Sequence, residues 1–285
     1  MERRLALLGG DLRQVRLAQL LLKDGRDVVT WGLEQGSGPN AVPLDRALER
    51  ELLLLPLPVC RGKELYLPLT DTTLQPEVLW PRIRGSQLLL GGLTGDLPRR
   101  LLTDFELTLL DYYDREETQT ANAAVTAEGA IQLAMEATEG TILGSRCLVL
   151  GFGRIGRQLS WRLRALGARV TATARRYKDL AGIAAMGCES LSTGDLQGRL
   201  GQFDLVFNTI PSRILDAALL AETGEHCVIL ELASPPFGTD LEAARRLGRQ
   251  VIQAGGLPGR TAPLAAAAVI RDSIYHILEE RGEPI

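Results

Sequence analysis

Short apolar runs alternate with amphipathic stretches along most of this chain, the pattern of parallel strands joined by helices. The first run, Leu5–Leu8, is followed by the turn Gly9-Gly10-Asp11. In the stretch 13–23 after it, Val15, Leu17, Ala18, Leu21 and Leu22 fall largely on one stripe, which predicts a helix. Gly25 ends that helix, and residues 27–31 are the next predicted strand. After their first residues, Glu51 and Gln87, the runs 51–58 (ELLLLPLP) and 87–91 (QLLLG) are continuously apolar, as strands buried on both faces of a parallel sheet should be. Residues 59–71 read as irregular, 92–96 as a flexible loop, and 107–110 as the last strand of this half.

The pattern is sharpest at 146–176, RCLVLGFGRIGRQLSWRLRALGARVTATARR. It reads strand, glycine turn, helix, strand, and the turn is Gly151-Phe152-Gly153-Arg154-Ile155-Gly156. The first glycine lets the chain turn out of the strand, the second lets a pyrophosphate approach bare backbone, and the third lets the helix pack on the strand. The helix N-terminus then offers its N–H groups to phosphate. Spacing alone is a weak signal, but here it lies within a complete strand-helix-strand unit, which predicts a dinucleotide site.

The second strand of that unit ends Thr173-Ala174-Arg175-Arg176. Sites that prefer NAD place an acid there for the ribose 2′-hydroxyl. Ala174 stands in its place, and two guanidiniums able to grip a 2′-phosphate follow, so the expected cofactor is NADP. Further strands are predicted at 203–207, 227–230 and 250–254. They end in polar or Gly/Pro loops, from which Asn208, Thr209, Ile210, Pro211, Leu232 and Ser234 are expected at the cofactor.

Residues 114–139 join the halves, with a connecting helix expected to start near Thr126 and aim Thr126 and Glu128 into an interdomain cleft as candidate catalytic groups. The stretch 265–277 is apolar nearly all round, which predicts a buried terminal helix. The expected architecture is α/β: two Rossmann-like doubly wound domains with parallel sheets around a cleft. Residues 1–120, with 262–285 packed back on them, form a substrate domain. A helix at 121–140 connects it to a cofactor domain at 141–261.

Composition narrows the function classes. The net charge of −3 gives no basic footprint for nucleic acid or anionic membrane. No stretch is apolar for long enough to span a bilayer. Cys60, Cys147, Cys188 and Cys227 lack paired spacing and read as reduced thiols of a cytoplasmic protein. Metal-ligand spacing is absent, so no metal is expected. The two histidines, His226 and His276, fall away from the predicted loops, which argues against a hydroxyacid dehydrogenase needing a His proton shuttle.

The segments GGDLRQ (9–14), LLLPLPV (53–59), TAEGAIQLAM (126–135), LGFGRIG (150–156), NTIP (208–211), ELASPPFG (231–238) and GLPGRTAP (256–263) together resemble the family of dipicolinate synthase A subunits. That resemblance implies oxidation of a dihydrodipicolinate-type ring to pyridine-2,6-dicarboxylate with NADP, in endospore-forming bacteria, alongside a flavoprotein-like B subunit. A small dicarboxylate needs cations or N–H donors, and by position the candidates are Gly10, Asp11, Arg13, Thr94 and Gly95. A homo-oligomer is expected. The alternatives are another two-domain NADP-dependent dehydrogenase of a hydroxy or amino acid, or an NADP-sensing module.

Overall fold

The computed structural model describes residues 3–283 and divides into two compact units. One is formed by the chain up to Asn122 and from Pro258 onward, the other by Ala123–Leu257.

In the first unit, β1 (Leu5–Leu8), β2 (Val28–Trp31), β3 (Leu52–Leu54), β4 (Leu88–Gly91) and β5 (Leu109–Asp111) form a parallel sheet in the order β2-β1-β3-β4-β5. Alternation along β1 sends Leu5 and Leu7 to one face and Ala6 and Leu8 to the other. Leu5 and Leu7 meet Leu17, Ala18 and Leu21 of α1 (Leu12–Lys23), while Ala6 and Leu8 meet Leu53, Leu55 and Trp80. Both faces are covered, which is why these strands read as unbroken apolar runs.

In the second unit, β6 (Arg146–Leu150), β7 (Arg169–Ala174), β8 (Glu189–Ser192), β9 (Leu205–Asn208), β10 (Val228–Glu231) and β11 (Gln250–Gln253) form a parallel sheet in the order β8-β7-β6-β9-β10-β11. Counted from β6, this is the 3-2-1-4-5-6 order of a dinucleotide-binding sheet, whose strand order reverses between β6 and β9. The first unit's order reverses between β1 and β3 in the same manner.

Several elements depart from the sequence expectation. The connecting helix, α2 (Glu116–Ala137), begins ten residues before Thr126, nucleated by Glu116 and Glu117 in a first turn that favours negative charge. The expected loop at 92–96 is followed by a helix that the sequence pattern does not predict, Leu97–Phe105, opened by a proline at its N-terminus. The irregular region 59–71 contains a small antiparallel pair, Cys60–Arg61 with Glu64–Leu65. Beyond β6, α3 spans Arg154–Ala165 and α4 spans Tyr177–Ala185. A short helix, α5 (Leu257–Thr261), precedes the terminal helix α6 (Pro263–Glu280). α6 returns to the first unit, where Ala267, Ile270 and Ile274 join the α1 side of its core and Ser273 Oγ donates to the Tyr112 carbonyl at 2.6 Å.

Candidate functional site: the glycine turn of the second unit

β6 delivers the chain to Gly151 at φ +95°, a left-handed conformation that favours glycine. The Gly151 N–H donates to Thr173 Oγ1 at 3.1 Å, and Thr209 Oγ1 donates to the Leu150 carbonyl at 2.8 Å. The buried Thr173 and the half-buried Thr209 therefore brace the turn. A Cβ on Gly156 would stand 2.1 Å from the Gly151 carbonyl oxygen, so α3 packs against the turn at a distance only glycine permits. A Cβ on Gly153 would meet nothing within 4 Å, which leaves open space over the middle of the turn.

Gly153 is the N-cap of α3; it supplies no capping side chain, and no acid stands in the first helical turn. No side chain of the N-cap and no acid of the first turn thus offsets the partial positive charge of this helix end, which suits an anion. In the first unit, α1 differs. Asp11 caps it through Oδ1, accepting from the Arg13 N–H at 3.0 Å, so the protein's own carboxylate already sits at that N-terminus. Of α1 and α3, the helices that follow the first strand of each sheet, α3 is the one without a capping carboxylate.

A cavity of about 770 Å³ opens over the turn, lined by Gly151, Phe152, Gly153, Ala174, Arg175, Arg176, Asp179, Thr193, Ile210, Ser212 and Ile214. Its size falls within the range of small-molecule and cofactor sites. The structure thus brings together much of the predicted cofactor set, with Arg154 and Ile155 in the first turn of α3. Gly156 and Thr173 shape the site from behind.

At one rim of the cavity Ala174 ends β7 and no acid follows it directly; Arg175 and Arg176 are exposed. Sequence reading missed Asp179 in the first turn of α4. Its Oδ2 accepts from Arg176 Nε at 2.7 Å, and its Oδ1 from an Arg157 terminal nitrogen at 3.3 Å. The Arg176 hydrogen bond, joined by the charges of Arg176, Arg157 and Lys178, holds this carboxyl below its ordinary pKa against the effect of burial.

The loop after β9 is fixed from within. Asn208 is fully buried, and its Nδ2 donates to both carboxylate oxygens of Glu231 at 2.9 Å and to the Ile210 carbonyl at 3.2 Å. Glu231, 1% exposed and also unpredicted, accepts further from the N–H groups of Ala233 and Thr239. This carboxylate ties the loop after β9 to the loop after β10. Asn208 is consequently a brace whose amide is turned to Glu231, and Ile210, Ser212 and Ile214 are the residues after β9 that line the cavity. Pro211 and Ser234 are exposed and Leu232 is buried.

Thr126 and Glu128 lie well inside α2, which removes the helix-start geometry that aimed them at a site. Glu128 is 70% exposed and pairs with Arg162 Nε at 3.3 Å. Arg162 lies eight residues into α3, about 12 Å along its axis from the glycine turn. The structure therefore does not bring Glu128 to the cavity; Thr126 is buried in the same helix.

In the first unit, Gly10, Asp11 and Arg13 stand where the strand order reverses. Arg13, 9% exposed, makes a two-pronged ion pair with Asp11 and donates to the Leu57 carbonyl beyond β3. Burial opposes the guanidinium's charge, yet the hydrogen bonds and charge of Asp11 raise its pKa overall. Thr94 donates its N–H and Oγ1 to Asp111 Oδ2, both at 2.8 Å, and with Gly95 lines a separate cavity of about 700 Å³. The substrate candidates thus form two groups, one past β1 and one past β4.

Among the described residues no cluster of His, Cys, Asp and Glu could hold a metal ion, and no helix is long and apolar enough to cross a membrane.

Residues 4–113 match the sequence model of the N-terminal domain of the dipicolinate synthase A subunit, and residues 109–234 that of the D-isomer specific 2-hydroxyacid dehydrogenase NAD-binding domain. The A subunit of dipicolinate synthase from Bacillus subtilis is 29% identical over 97% of this chain and 96% of its own length. A crystal structure of the corresponding dipicolinate synthase protein from Bacillus halodurans superposes with a TM-score of 0.86 at 28% identity, covering 99% of this chain and 98% of that one. The crystal structure from Bacillus subtilis gives 0.85 at 28% identity over 98% and 97%. With a dinucleotide-type sheet, an uncapped helix behind a glycine turn and a dehydrogenase nucleotide-binding domain, the chain is built as a nicotinamide-nucleotide oxidoreductase and resembles the dipicolinate synthase A subunits along nearly its whole length.

Proposed function

We propose that this chain is the A subunit of a dipicolinate synthase, oxidising a dihydrodipicolinate-type ring to pyridine-2,6-dicarboxylate with NADP. The observation that carries this reading is the conjunction of a front half of the dipicolinate synthase type with a glycine-turn cavity whose rim reads Ala174-Arg175-Arg176.

The residues present fit the cofactor. The turn leaves space where a Cβ at Gly153 would stand, and the N–H groups of α3 face an anion uncapped. Gly151–Gly156 would hold the pyrophosphate, Arg175 and Arg176 the 2′-phosphate, and the loop carrying Ile210 would border the ribose and nicotinamide. When bound, the nicotinamide supplies the hydride acceptor. Loss of hydride from a partly reduced ring gains aromaticity, so the protein's task is mainly to position the ring and exclude water.

Arg13, Gly10, Thr94 and Gly95 are proposed to receive the substrate carboxylates. Asp11 already neutralises much of the Arg13 charge, so Arg13 would contribute its remaining N–H donors more than net charge. A partner B subunit, a homo-oligomeric state and a cytoplasmic setting belong to the same proposal.

The test is turnover by the purified chain, with and without its B partner, followed by nicotinamide absorbance and by the ultraviolet spectrum of the aromatic product. NADP-dependent formation of dipicolinate is expected. A chain that reduces NADP only with a hydroxy or amino acid, or in neither mixture, would contradict the proposal.

A further inference from the structure

A third guanidinium stands beside the Arg176 and Asp179 that line the cavity. Arg157, on the second turn of α3, donates from Nε to the Phe152 carbonyl at 3.1 Å, and its guanidinium lies 5.1 Å from the centre of the Phe152 ring. It is therefore anchored to a residue of the glycine turn. A terminal nitrogen reaches Asp179, whose other oxygen holds Arg176. The Asp179 side chain is 9% exposed, while those of Arg157 and Arg176 are 54% and 68% exposed. The acid thus lies inside and the two cations stand outside it, separated by one carboxylate.

Arg157 and Arg176 pair with the one carboxylate of Asp179, and Arg175 next to them adds a third guanidinium, an excess of two positive charges beside a cavity that Arg175, Arg176 and Asp179 line. Such an excess raises the energy of an empty rim and suits a ligand group carrying about two negative charges, which a phosphate monoester supplies near neutral pH. Each of Arg157 and Arg176 gives part of its fork to the protein and keeps further N–H donors for a ligand. A flexible arginine loses less freedom on binding when it is already held in place.

We propose that Arg157 joins Arg175 and Arg176 in the receptor for the 2′-phosphate of NADP, with the buried Asp179 carboxylate as the positioning residue that holds Arg157 and Arg176 side by side. This rests on the nicotinamide-nucleotide reading of the glycine turn and adds to it two residues from outside the β7 terminus. It has an unusual sign. Removing a carboxylate from beside a phosphate should tighten binding by simple Coulomb attraction. Removing a positioning residue should weaken it, because both guanidiniums lose their anchor.

The experiment is fluorescence titration of the full chain with NADP, NAD and adenosine 2′,5′-bisphosphate, comparing the parent with Arg157→Ala, Arg157→Lys and Asp179→Ala. Arg157→Ala and Asp179→Ala should each weaken NADP and the bisphosphate by at least about tenfold and leave NAD within about twofold. Arg157→Lys should recover only part of the loss, since an ammonium keeps the charge without the fork. Retained NAD binding shows that the glycine turn remains folded. Asp179→Ala binding NADP as tightly as the parent or more tightly, or Arg157→Ala weakening NAD and NADP equally, would overturn the proposal and leave the nucleotide site standing. A parent chain that binds none of the three ligands would sink the nucleotide reading and this proposal with it.

Discussion

At Gly153 and Gly156 the glycine turn makes separable demands on single residues. A methyl group at Gly156 would press on the Gly151 carbonyl oxygen at 2.1 Å, a backbone contact that cannot swing away. Gly156→Ala is expected to destabilise the second unit by about 1–3 kcal/mol and to abolish nucleotide binding. At Gly153 the same methyl group meets nothing within 4 Å. Gly153→Ala should leave stability within about 0.5 kcal/mol of the parent, yet weaken binding by filling the space a phosphate would use. Thermal melting and nucleotide titration of the two variants check this, and equal destabilisation by both would contradict it. These glycines, and Ala174-Arg175-Arg176, were legible because their conformational and charge requirements lie in adjacent residues. Asp179 and Glu231 were not. Asp179 pairs locally with Arg176, but it matters by joining Arg176 to Arg157, 22 positions away, and Glu231 matters through Asn208, 23 positions away; such long-range pairings exist only once the strands are side by side.

The apolar runs located nearly every element of the two parallel sheets, because strands buried on both faces cannot hide in the sequence. The exceptions have physical causes. The run 51–58 yields only three strand residues, since the prolines at 56 and 58 lack the N–H a ladder requires. Glu189–Ser192 was missed because an edge strand with two exposed residues carries little apolar signal. The start of α2 was misplaced because its first turns are polar, and that error alone put Thr126 and Glu128 at a helix terminus. One ion pair spans two strand entrances: Arg4, just before β1, binds Glu51, just before β3, through N–H and guanidinium together. The Arg4 hydrogen bonds lower the Glu51 pKa to about 2. A depressed carboxyl stabilises the fold above its unfolded value, about 4.3, and loses that contribution as pH falls toward 2. Both side chains are substantially exposed, so Glu51→Gln should cost less than about 1 kcal/mol at neutral pH. In urea denaturation, the difference between variant and parent should shrink as the pH drops below about 4. A difference that grows with acid would contradict the assignment.

Across the whole molecule, the chain builds one sheet, then a second, and returns with α6 to complete the core of the first. The apolar character of α6 announced burial, and the structure supplies the partner, α1, together with the Ser273 bond to Tyr112. Strand order was not written in any local pattern. It places Gly151 and Ile210 on either side of the reversal between β6 and β9, where one cavity joins them. The electrostatic contrast between the two helix N-termini, one closed by Asp11 and one left open at Gly153, assigns the phosphate-bearing ligand to the second unit. Equilibrium titration of the purified parent chain with NADP and NAD tests the proposed NADP reading of that site most directly. Saturable binding of both, with NADP at least about tenfold tighter, is the predicted result. Absence of binding, or NAD binding as tightly as NADP, would contradict it.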